Sequence, residues 1–339
     1  MENIRNYLNT ELKIGNKKIK NRLVFASMSK LGNVAFRMLL EHFGSCGLYF
    51  SEMSSAVRIP FENPKNSNVY RFYNEEKDKL VWQILGSDPE KMSIAASRIE
   101  NDGFFGVDLN FSCSAAKIVK KGFGAAILKD SDTAVNIVRA IRNKVQIPIF
   151  IKYRTGWKDD PKLAVDLAKK FEQSGADALT FHPRVAPDRR TRKPKWEYIS
   201  KVKKAVNIPV FGNGNVFTFE DCIKMIQTTN CDGISLGRIA VNSPWIFDKW
   251  LNNKEINYNI YLETVKIYIK LLQDNFNEKI AIKRFKKFVF YYCAGFKYGH
   301  SLYSKLINCN SFNDLLKEFE IFFLQRPEHL EIPNANLIV

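Results

Sequence analysis

Short apolar runs recur over the first 247 residues, and most of them are separated by segments with helical periodicity. In residues 106–110 the apolar Val107 and Leu109 alternate with polar residues, which is typical of a strand buried on at least one side. Residues 161–174 form the clearest amphipathic helix pattern between two runs. The predicted strands are residues 23–26, 48–51, 80–85, 106–110, 148–152, 178–181, 209–212 and 233–236.

Eight strands that alternate with helices predict an α/β fold, a closed (β/α)8 TIM barrel, rather than an open doubly wound sheet. An open sheet would usually carry a glycine-rich turn after its first strand, and residues 22–33, RLVFASMSKLGN, have no such turn. Residues 12–22 predict a small hairpin ahead of the barrel. Helical patterns alone continue beyond the last strand, so a smaller all-helical domain is expected at 248–339, after a barrel domain at 1–247.

Catalytic residues of TIM barrels lie at the carboxyl ends of the strands, which turns the strand prediction into a set of candidate residues. Most of the side chains at these ends are polar, and several can donate hydrogen bonds. In chain order the candidates are Ser27, Met28, Glu52, Gln83, Asn110, Cys113, Lys152, Arg154, His182, Arg184, Asn213, Gly214, Gly237 and Arg238.

The last two predicted strands end in glycine-rich loops, GNGN and LGR. Barrels with a phosphate-bearing ligand often bind the phosphate at these two loops. Gly212 and Gly214 would allow backbone amides to approach an anion, Arg238 could neutralise it, and a helix beginning near Asn242 would add its dipole. The pair of loops therefore predicts a phosphate site.

Three further candidates suit the ring of a flavin, and FMN fits better than a dinucleotide. The amide of Gln83 can both donate to and accept from an imide edge, and the ammonium of Lys152 would stabilise the anion formed on reduction. His182 would lie beside the same ligand. The alternatives are a rim ion pair for Lys152 and a hydrogen-bonded rim position for His182.

Cys113 follows the fourth predicted strand in a loop that also contains Lys117, Lys120 and Lys121. The loop offers a thiol and positive charge, although a lone cysteine is more often a small buried hydrophobe. The six cysteines show no short paired spacing of the kind that zinc or a redox dithiol needs, so no metal is expected and the thiols are expected to be reduced.

The formal net charge of +17 favours a polyanionic partner, although a chain this rich in Asn, Ile and Lys could also reflect a biased genome. Residues 279–305 contain seven Lys or Arg and no acid, with interleaved Phe and Tyr that could stack on bases. A solvated helix face is the alternative. A second basic run covers residues 184–204. No signal peptide or membrane span is recognisable, so a cytoplasmic location is expected. A closed barrel needs no partner at its edge, so a monomer is expected.

Seven segments of this chain resemble the tRNA-dihydrouridine synthase family of flavoenzymes in order and spacing. The most specific is the run 208–247, IPVFGNGNVFTFEDCIKMIQTTNCDGISLGRIAVNSPWIF. The others are NRLVFASM (21–28), WQILGSDPE (82–90), DLNFSCSAAKIVKKGFGAAILKD (108–130), IKYRTGW (151–157), LTFHPR (179–184) and AIKRFKKFVFYYCAG (281–295).

The resemblance implies that NADPH reduces FMN and that the flavin then passes hydride to C6 of a uridine, while a cysteine protonates C5. Cys113 matches that cysteine. The RNA expected is tRNA, with another structured RNA as the alternative. The implied flavin site comprises Ser27, Met28, Gln83, Lys152, His182, Asn213, Gly214, Gly237 and Arg238. The implied substrate contacts are Asn110, Arg154, Arg184, Arg284, Lys286 and Lys287.

The chain departs from the family pattern around the cysteine and the pocket mouth. Ser112 and Ser114 stand where Gly and Pro are usual, Ser27 replaces a Pro, His182-Pro183-Arg184 replaces His-Gly-Arg, and residues 185–195 differ from the usual loop. Serine at 112 lacks the conformational freedom of glycine and could shift the thiol. These changes put the target position in question more than the fold or the flavin.

Two other functional classes remain open at this stage. A flavin oxidoreductase of the same barrel type that acts on a small molecule would retain turnover without the basic carboxyl-terminal domain. A non-catalytic RNA-binding paralogue would bind RNA after Cys113→Ala and would show no flavin reduction by NADPH.

Overall fold

A computed structural model describes residues 1–44, 46–186, 188 and 192–334. The strands are β1 (Leu12–Ile14), β2 (Lys17–Ile19), β3 (Leu23–Phe25), β4 (Leu48–Phe50), β5 (Ser54–Ser55), β6 (Leu80–Leu85), β7 (Gly106–Phe111), β8 (Ile149–Gly156), β9 (Ala178–Val185), β10 (Val210–Asn213) and β11 (Gly233–Leu236).

The helices alternate with the barrel strands and then continue alone at the carboxyl end. They are α1 (Glu2–Leu8), α2 (Val34–His42), α3 (Pro89–Asn101), α4 (Ala116–Val119), α5 (Ser131–Arg142), α6 (Pro161–Gln173), α7 (Glu197–Lys203), α8 (Phe219–Thr229), α9 (Arg238–Asn242), α10 (Ile246–Asn252), α11 (Ile260–Asn275), α12 (Glu278–Tyr292), α13 (Gly299–Leu306) and α14 (Phe312–Leu324). Short 3-10 segments are Ile59–Phe61, Asn74–Lys79, Gly124–Lys129 and Cys293–Gly295.

Within the described residues, eight parallel strands pair in the order β3, β4, β6, β7, β8, β9, β10 and β11, and β11 pairs with β3 to close the barrel. Each barrel strand coincides with one of the eight predicted apolar runs, so the predicted TIM barrel is confirmed. The short β5 pairs in parallel with the last two residues of β6, at its carboxyl end.

Local sequence signals begin the barrel helices. Asp88 and Asp160 accept hydrogen bonds from the first turns of α3 and α6, and a proline follows each cap at the first helical position. Thr218 and Asp221 form a reciprocal capping box at the start of α8. These caps fix the loops that connect the carboxyl ends of the strands to the outer helices.

The predicted hairpin is present as antiparallel β1 and β2, with Leu12 paired to Ile19. Its apolar side chains form one cluster with residues from the amino ends of the barrel strands, among them Phe105 and Phe150. The hairpin thus covers the amino end of the barrel with apolar side chains, at the end opposite the candidate residues.

The carboxyl-terminal helices share a continuous core with the barrel. The ring centroid of Phe36 on α2 lies 5.8 Å from that of Tyr268 on α11 and 6.2 Å from that of Phe288 on α12. The expected boundary between residues 247 and 248 falls inside α10, which packs on α1 through a hydrogen bond from Arg5 to the Trp250 carbonyl. Among the described helices, none combines the length and apolar character needed to cross a bilayer.

Candidate active site at the carboxyl ends of the barrel strands

A cavity of about 580 Å³ opens at the carboxyl ends of the barrel strands. Its lining includes all the strand-end residues assigned from the sequence to flavin binding, to general-acid catalysis and to contact with the target uridine. These residues are Ser27, Met28, Gln83, Asn110, Cys113, Lys152, Arg154, His182, Arg184, Asn213, Gly214, Gly237 and Arg238. Residues that are far apart in the chain meet here because parallel strands end at one edge of the barrel.

The amide of Gln83 is held in one orientation by three neighbours. Its carbonyl oxygen accepts hydrogen bonds from Ser27 Oγ at 2.8 Å and Asn110 Nδ2 at 2.7 Å, and its Nε2 donates to Asp108 Oδ2 at 2.6 Å. The other carboxylate oxygen of Asp108 is buried and has no hydrogen-bond partner among the described residues. Burial raises the pKa of Asp108 to about 7, against the hydrogen bond from Gln83 and the charge of Lys152.

Asn110 joins this amide network to the cysteine loop. Its side-chain oxygen accepts hydrogen bonds from the backbone amides of Ser112 at 3.1 Å and Cys113 at 2.9 Å. On the other side of the loop, Gly124 has a φ of 62°, and a β-carbon there would lie 2.5 Å from the Cys113 carbonyl oxygen. The Cys113 side chain is half-buried and lines the cavity, so its thiol is held at the rim of the cavity.

Lys152 projects from β8 into the same region, and its ammonium donates to Ser112 Oγ at 3.1 Å. Burial lowers the pKa of Lys152 to about 8, and the neighbouring Arg154 guanidinium adds to this effect. Arg154 is anchored by hydrogen bonds from Nη1 to the carbonyls of Val185 and Ala186, at 2.9 and 3.3 Å. Burial, followed by the charge of Arg184, lowers its pKa to about 10.

His182 is surrounded by cations. Burial and then the charges of Lys152, Arg154, Arg184 and Arg238 hold the pKa of its imidazole well below the usual range, so the ring is neutral. Four cationic side chains around a single cavity create a positive potential, and a cavity of this kind favours an anionic ligand.

Two of those cations meet at Asn215, in one corner of the cavity. The Asn215 side-chain oxygen accepts hydrogen bonds from Arg184 at 3.1 Å and Arg238 at 2.8 Å. Gly214 beside it has a φ of 119°, and a β-carbon there would lie 2.8 Å from Cδ2 of His182. The predicted phosphate loops therefore come together, although the following helix begins at Arg238 rather than near Asn242.

Residues 24–326 match the family described as Dihydrouridine synthase (Dus). The chain belongs to this family. It is 30% identical over 291 residues to a probable tRNA-dihydrouridine synthase of Rickettsia conorii, covering 84% of this chain and 88% of that protein. It is 36% identical over 237 residues to tRNA-dihydrouridine synthase B of Pseudomonas aeruginosa, covering 70% of each chain.

Two solved structures of low sequence identity share the barrel fold. The old yellow enzyme from Trypanosoma cruzi aligns with a TM-score of 0.55 at 13% identity, over 75% of this chain and 94% of that one. A 2-naphthoyl-CoA reductase complex aligns with a TM-score of 0.57 at 14% identity, over 74% of this chain and 53% of that one. Identities this low support the fold alone.

Several residues that line the cavity of this dihydrouridine synthase family member, or hold the side chains that line it, were not singled out as candidates from the sequence. Asp108 is central to the Gln83 network, and its position between two apolar residues of a buried strand was the available signal. Asn215 lies in the GNGN motif itself. Tyr291 reaches the cavity from α12, and nothing in the sequence pattern connected that helix to the strand ends.

The three basic residues assigned to RNA contact on α12 differ in their surroundings. Arg284 lies outside the cavity lining and is buried, with Nη2 2.8 Å from Glu52 Oε1 and its guanidinium 4.6 Å from the ring centroid of Phe276. Lys286 and Lys287 are half-buried; Lys286 donates to the Ile307 carbonyl at 2.8 Å. Lys287 lies 5.2 Å from the Phe290 ring centroid and 5.3 Å from that of Tyr291.

The predicted basic run at 184–204 is described only in part. Residues 187 and 189–191 lie outside the described residues. Within the described part, Arg192 pairs with Asp188 at 2.6 Å and the side chain of Arg192 is exposed.

Proposed function

We propose that this chain uses FMN and NADPH to reduce a specific uridine of tRNA to 5,6-dihydrouridine, with Cys113 as the general acid that protonates C5. The proposal joins membership of the dihydrouridine synthase family to the chemistry of the cavity. The observation that carries it is the group of four cations around a neutral His182, next to a thiol at the cavity rim.

The residues that line the cavity fit FMN. A volume of about 580 Å³ is within the range of about 300–1,000 Å³ that is usual for sites of small ligands. Arg184 and Arg238, held together on Asn215, would hold the phosphate beside the open backbone at Gly214. The fixed amide of Gln83 and the ammonium of Lys152 would face the ring.

The bound flavin supplies the hydride, and the protein supplies position, charge and a proton. The Lys152 ammonium would hold a positive charge beside the ring and would stabilise the anion of the reduced flavin. Arg154, fixed on two carbonyls, would bind the target base from the side of β8, and Asn110 would bind it next to the loop. The Cys113 thiol then donates its proton from the rim of the cavity.

A uridine must leave the stacked RNA to reach this cavity, because its ring has to lie against a flavin at the strand ends. The half-buried Lys286 and Lys287 of α12 would contact the phosphate backbone outside the cavity. Tyr291, one helical turn beyond Lys287, brings an aromatic ring to the cavity lining. The basic helix would thus bind RNA close to the flavin. We propose that the enzyme acts as a cytoplasmic monomer.

The proposal is tested by mass spectrometry of total tRNA and ribosomal RNA from cells with and without this gene, which maps each uridine that gains two hydrogens. The expected result is one or more tRNA sites that disappear with the gene and return with the wild type but not with Cys113→Ala. The Cys113→Ala protein is expected to retain bound FMN. If no RNA site changes, dihydrouridine synthesis is the wrong assignment, and a flavin reductase of small molecules becomes the function to test.

A further inference from the structure

The cysteine loop is bound to the barrel wall by a contact that the flavin chemistry does not require. Lys152 stands directly opposite Asn110 in the register of β7 and β8, and its ammonium extends past the strand end to Ser112 Oγ at 3.1 Å. The Ser112 side chain is buried, with 6% of the residue exposed. One end of this contact is therefore on an eight-residue strand and the other is adjacent to Cys113.

We propose that Ser112 is a positioning residue: by accepting a hydrogen bond from Lys152, its hydroxyl holds the Cys113 thiol in a fixed place at the cavity rim. This inference rests on the proposed function, in which Cys113 is the acid and Lys152 lies beside the flavin. It goes further because the Ser112 hydroxyl contacts the ammonium proposed to lie beside the ring and also holds the residue proposed to donate the proton.

Hydrogen bonds with three partners hold this loop, and they differ in kind. The backbone amide of Ala125 donates to the Cys113 carbonyl at 2.9 Å, and this bond does not depend on the side chain at position 112. Asn110 binds the backbone amides of residues 112 and 113, and any amino acid other than proline at those positions would keep these bonds. The bond from Lys152 needs a side-chain acceptor at position 112. A hydrogen bond from a charged donor is stronger than one between two neutral groups. The bond from the Lys152 ammonium therefore restricts the loop more than a neutral hydrogen bond at the same place would. Glycine at position 112 would leave the ammonium without this partner.

The test measures the accessibility of the thiol rather than turnover. Wild-type protein and variants are saturated with FMN and treated with iodoacetamide, and peptide mass spectrometry gives the alkylation rate of Cys113 relative to Cys309. Cys309 is a suitable internal reference because it is also half-buried, lies in the loop between α13 and α14, and is not part of a disulfide. Ser112→Ala is expected to raise this ratio at least threefold, because the loop loses its bond to the barrel wall.

Two variants separate the hydroxyl from a general disturbance of the loop. Ser114→Ala removes a hydroxyl from the other side of Cys113, and Ser114 Oγ makes no hydrogen bond within the described residues, so the ratio should stay at the wild-type value. Ser112→Thr keeps the hydroxyl and should also keep that value. A rise with Ser114→Ala equal to that with Ser112→Ala would overturn the proposal, as would an unchanged or lowered ratio in Ser112→Ala.

The partner is identified by repeating the comparison in a Lys152→Met background. If Ser112 acts through Lys152, Ser112→Ala has no effect on the ratio in that background. A threefold effect that persists there would show that the hydroxyl acts without the ammonium, and the inference would be wrong. Alkylation requires neither RNA nor NADPH. A negative alkylation result therefore does not contradict the synthase proposal. If instead no RNA site changes and the synthase proposal fails, the alkylation rates still show whether Ser112 positions the thiol.

Discussion

Lys152 has a protonation state that should be visible in the rate of flavin reduction. Burial lowers its pKa to about 8, so the side chain is charged below pH 8 and neutral above it. The rate of FMN reduction by NADPH, measured by stopped flow from pH 6.5 to 9.5, is expected to fall as pH rises through about 8, because the positive charge that stabilises reduced flavin is lost. In the Lys152→Met variant, reduction of FMN by NADPH should be slow at every pH. A wild-type profile in that variant would contradict this assignment.

Asn215 and Arg238 should determine the affinity for FMN. Arg238→Ala removes a charged donor from the proposed phosphate corner, which is worth about 1.5–3 kcal/mol and corresponds to roughly a 10- to 150-fold rise in Kd. Asn215→Ala should also raise the Kd, because it releases both arginines from their shared hydrogen-bond acceptor. Its effect should be smaller, because both positive charges remain. Lys18→Ala is the control, because that side chain is 66% exposed and lies on the hairpin at the other end of the barrel. Flavin fluorescence titration measures all three, and equal Kd values would exclude this corner as the phosphate site.

At the level of single residues, the sequence predicted side chains whose positions follow from strand ends alone. Gln83, Lys152 and His182 belong to this class, since any parallel barrel brings such residues together. The contact of Ser112 with Lys152 could not be predicted, because it depends on the course of the loop after β7 and on where a long side chain extends. The same is true of the two arginines on Asn215, whose backbone has a φ of 55°.

Helix α12 shows how a basic run can combine two roles. Arg284 shares a buried face with Ala281 and Phe288, at the i+3 and i+4 spacing of a helix. This periodicity is a sequence signal that distinguishes Arg284 from the more exposed lysines, but all three residues were assigned from the sequence to RNA contact. The sequence could not reveal its partner, because Glu52 lies on the loop after β4, more than 200 residues earlier.

Loss of the Arg284 side chain should destabilise the protein. Arg284 and Glu52 form an ion pair with side chains 8% and 7% exposed, so Arg284→Ala leaves a buried carboxylate uncompensated at a cost of about 3–5 kcal/mol. Lys287→Ala, on the same helix, should change the free energy of unfolding by less than about 0.5 kcal/mol. Urea denaturation followed by circular dichroism measures both. Equal effects would show that the ion pair has no special role in joining α12 to the barrel.

The net charge of +17 predicts that RNA affinity depends strongly on salt. Each phosphate contact that is removed should lower the slope of log K against log salt by about 0.7–0.9, so Lys286→Ala with Lys287→Ala should lower it by about 1.4–1.8. Lys18→Ala is the matched control, because this exposed lysine lies on the hairpin at the other end of the barrel. Filter binding of tRNA from 50 to 300 mM KCl gives the slopes. An equal loss with Lys18→Ala would mean that charge acts without regard to position.

The order of the strands could be predicted across the whole molecule because apolar runs and helix patterns repeat along the chain. The packing of the helical region against the barrel could not. It depends on Phe36 meeting Tyr268 and Phe288, and neither residue stands out from the other aromatic positions of α11 and α12. A pattern shows that a face is apolar without showing which face covers it.

The amino-terminal hairpin has a consequence for the order of events during turnover. Leu12 and Ile19 close one end of the barrel within an apolar cluster, and the cavity opens at the other end. In the proposed reaction, NADPH and RNA would therefore reach the cavity through the same opening. Since a nicotinamide and a uridine could not lie over one ring together, the oxidised nicotinamide would have to leave before the uridine enters, and the two half-reactions would follow one another.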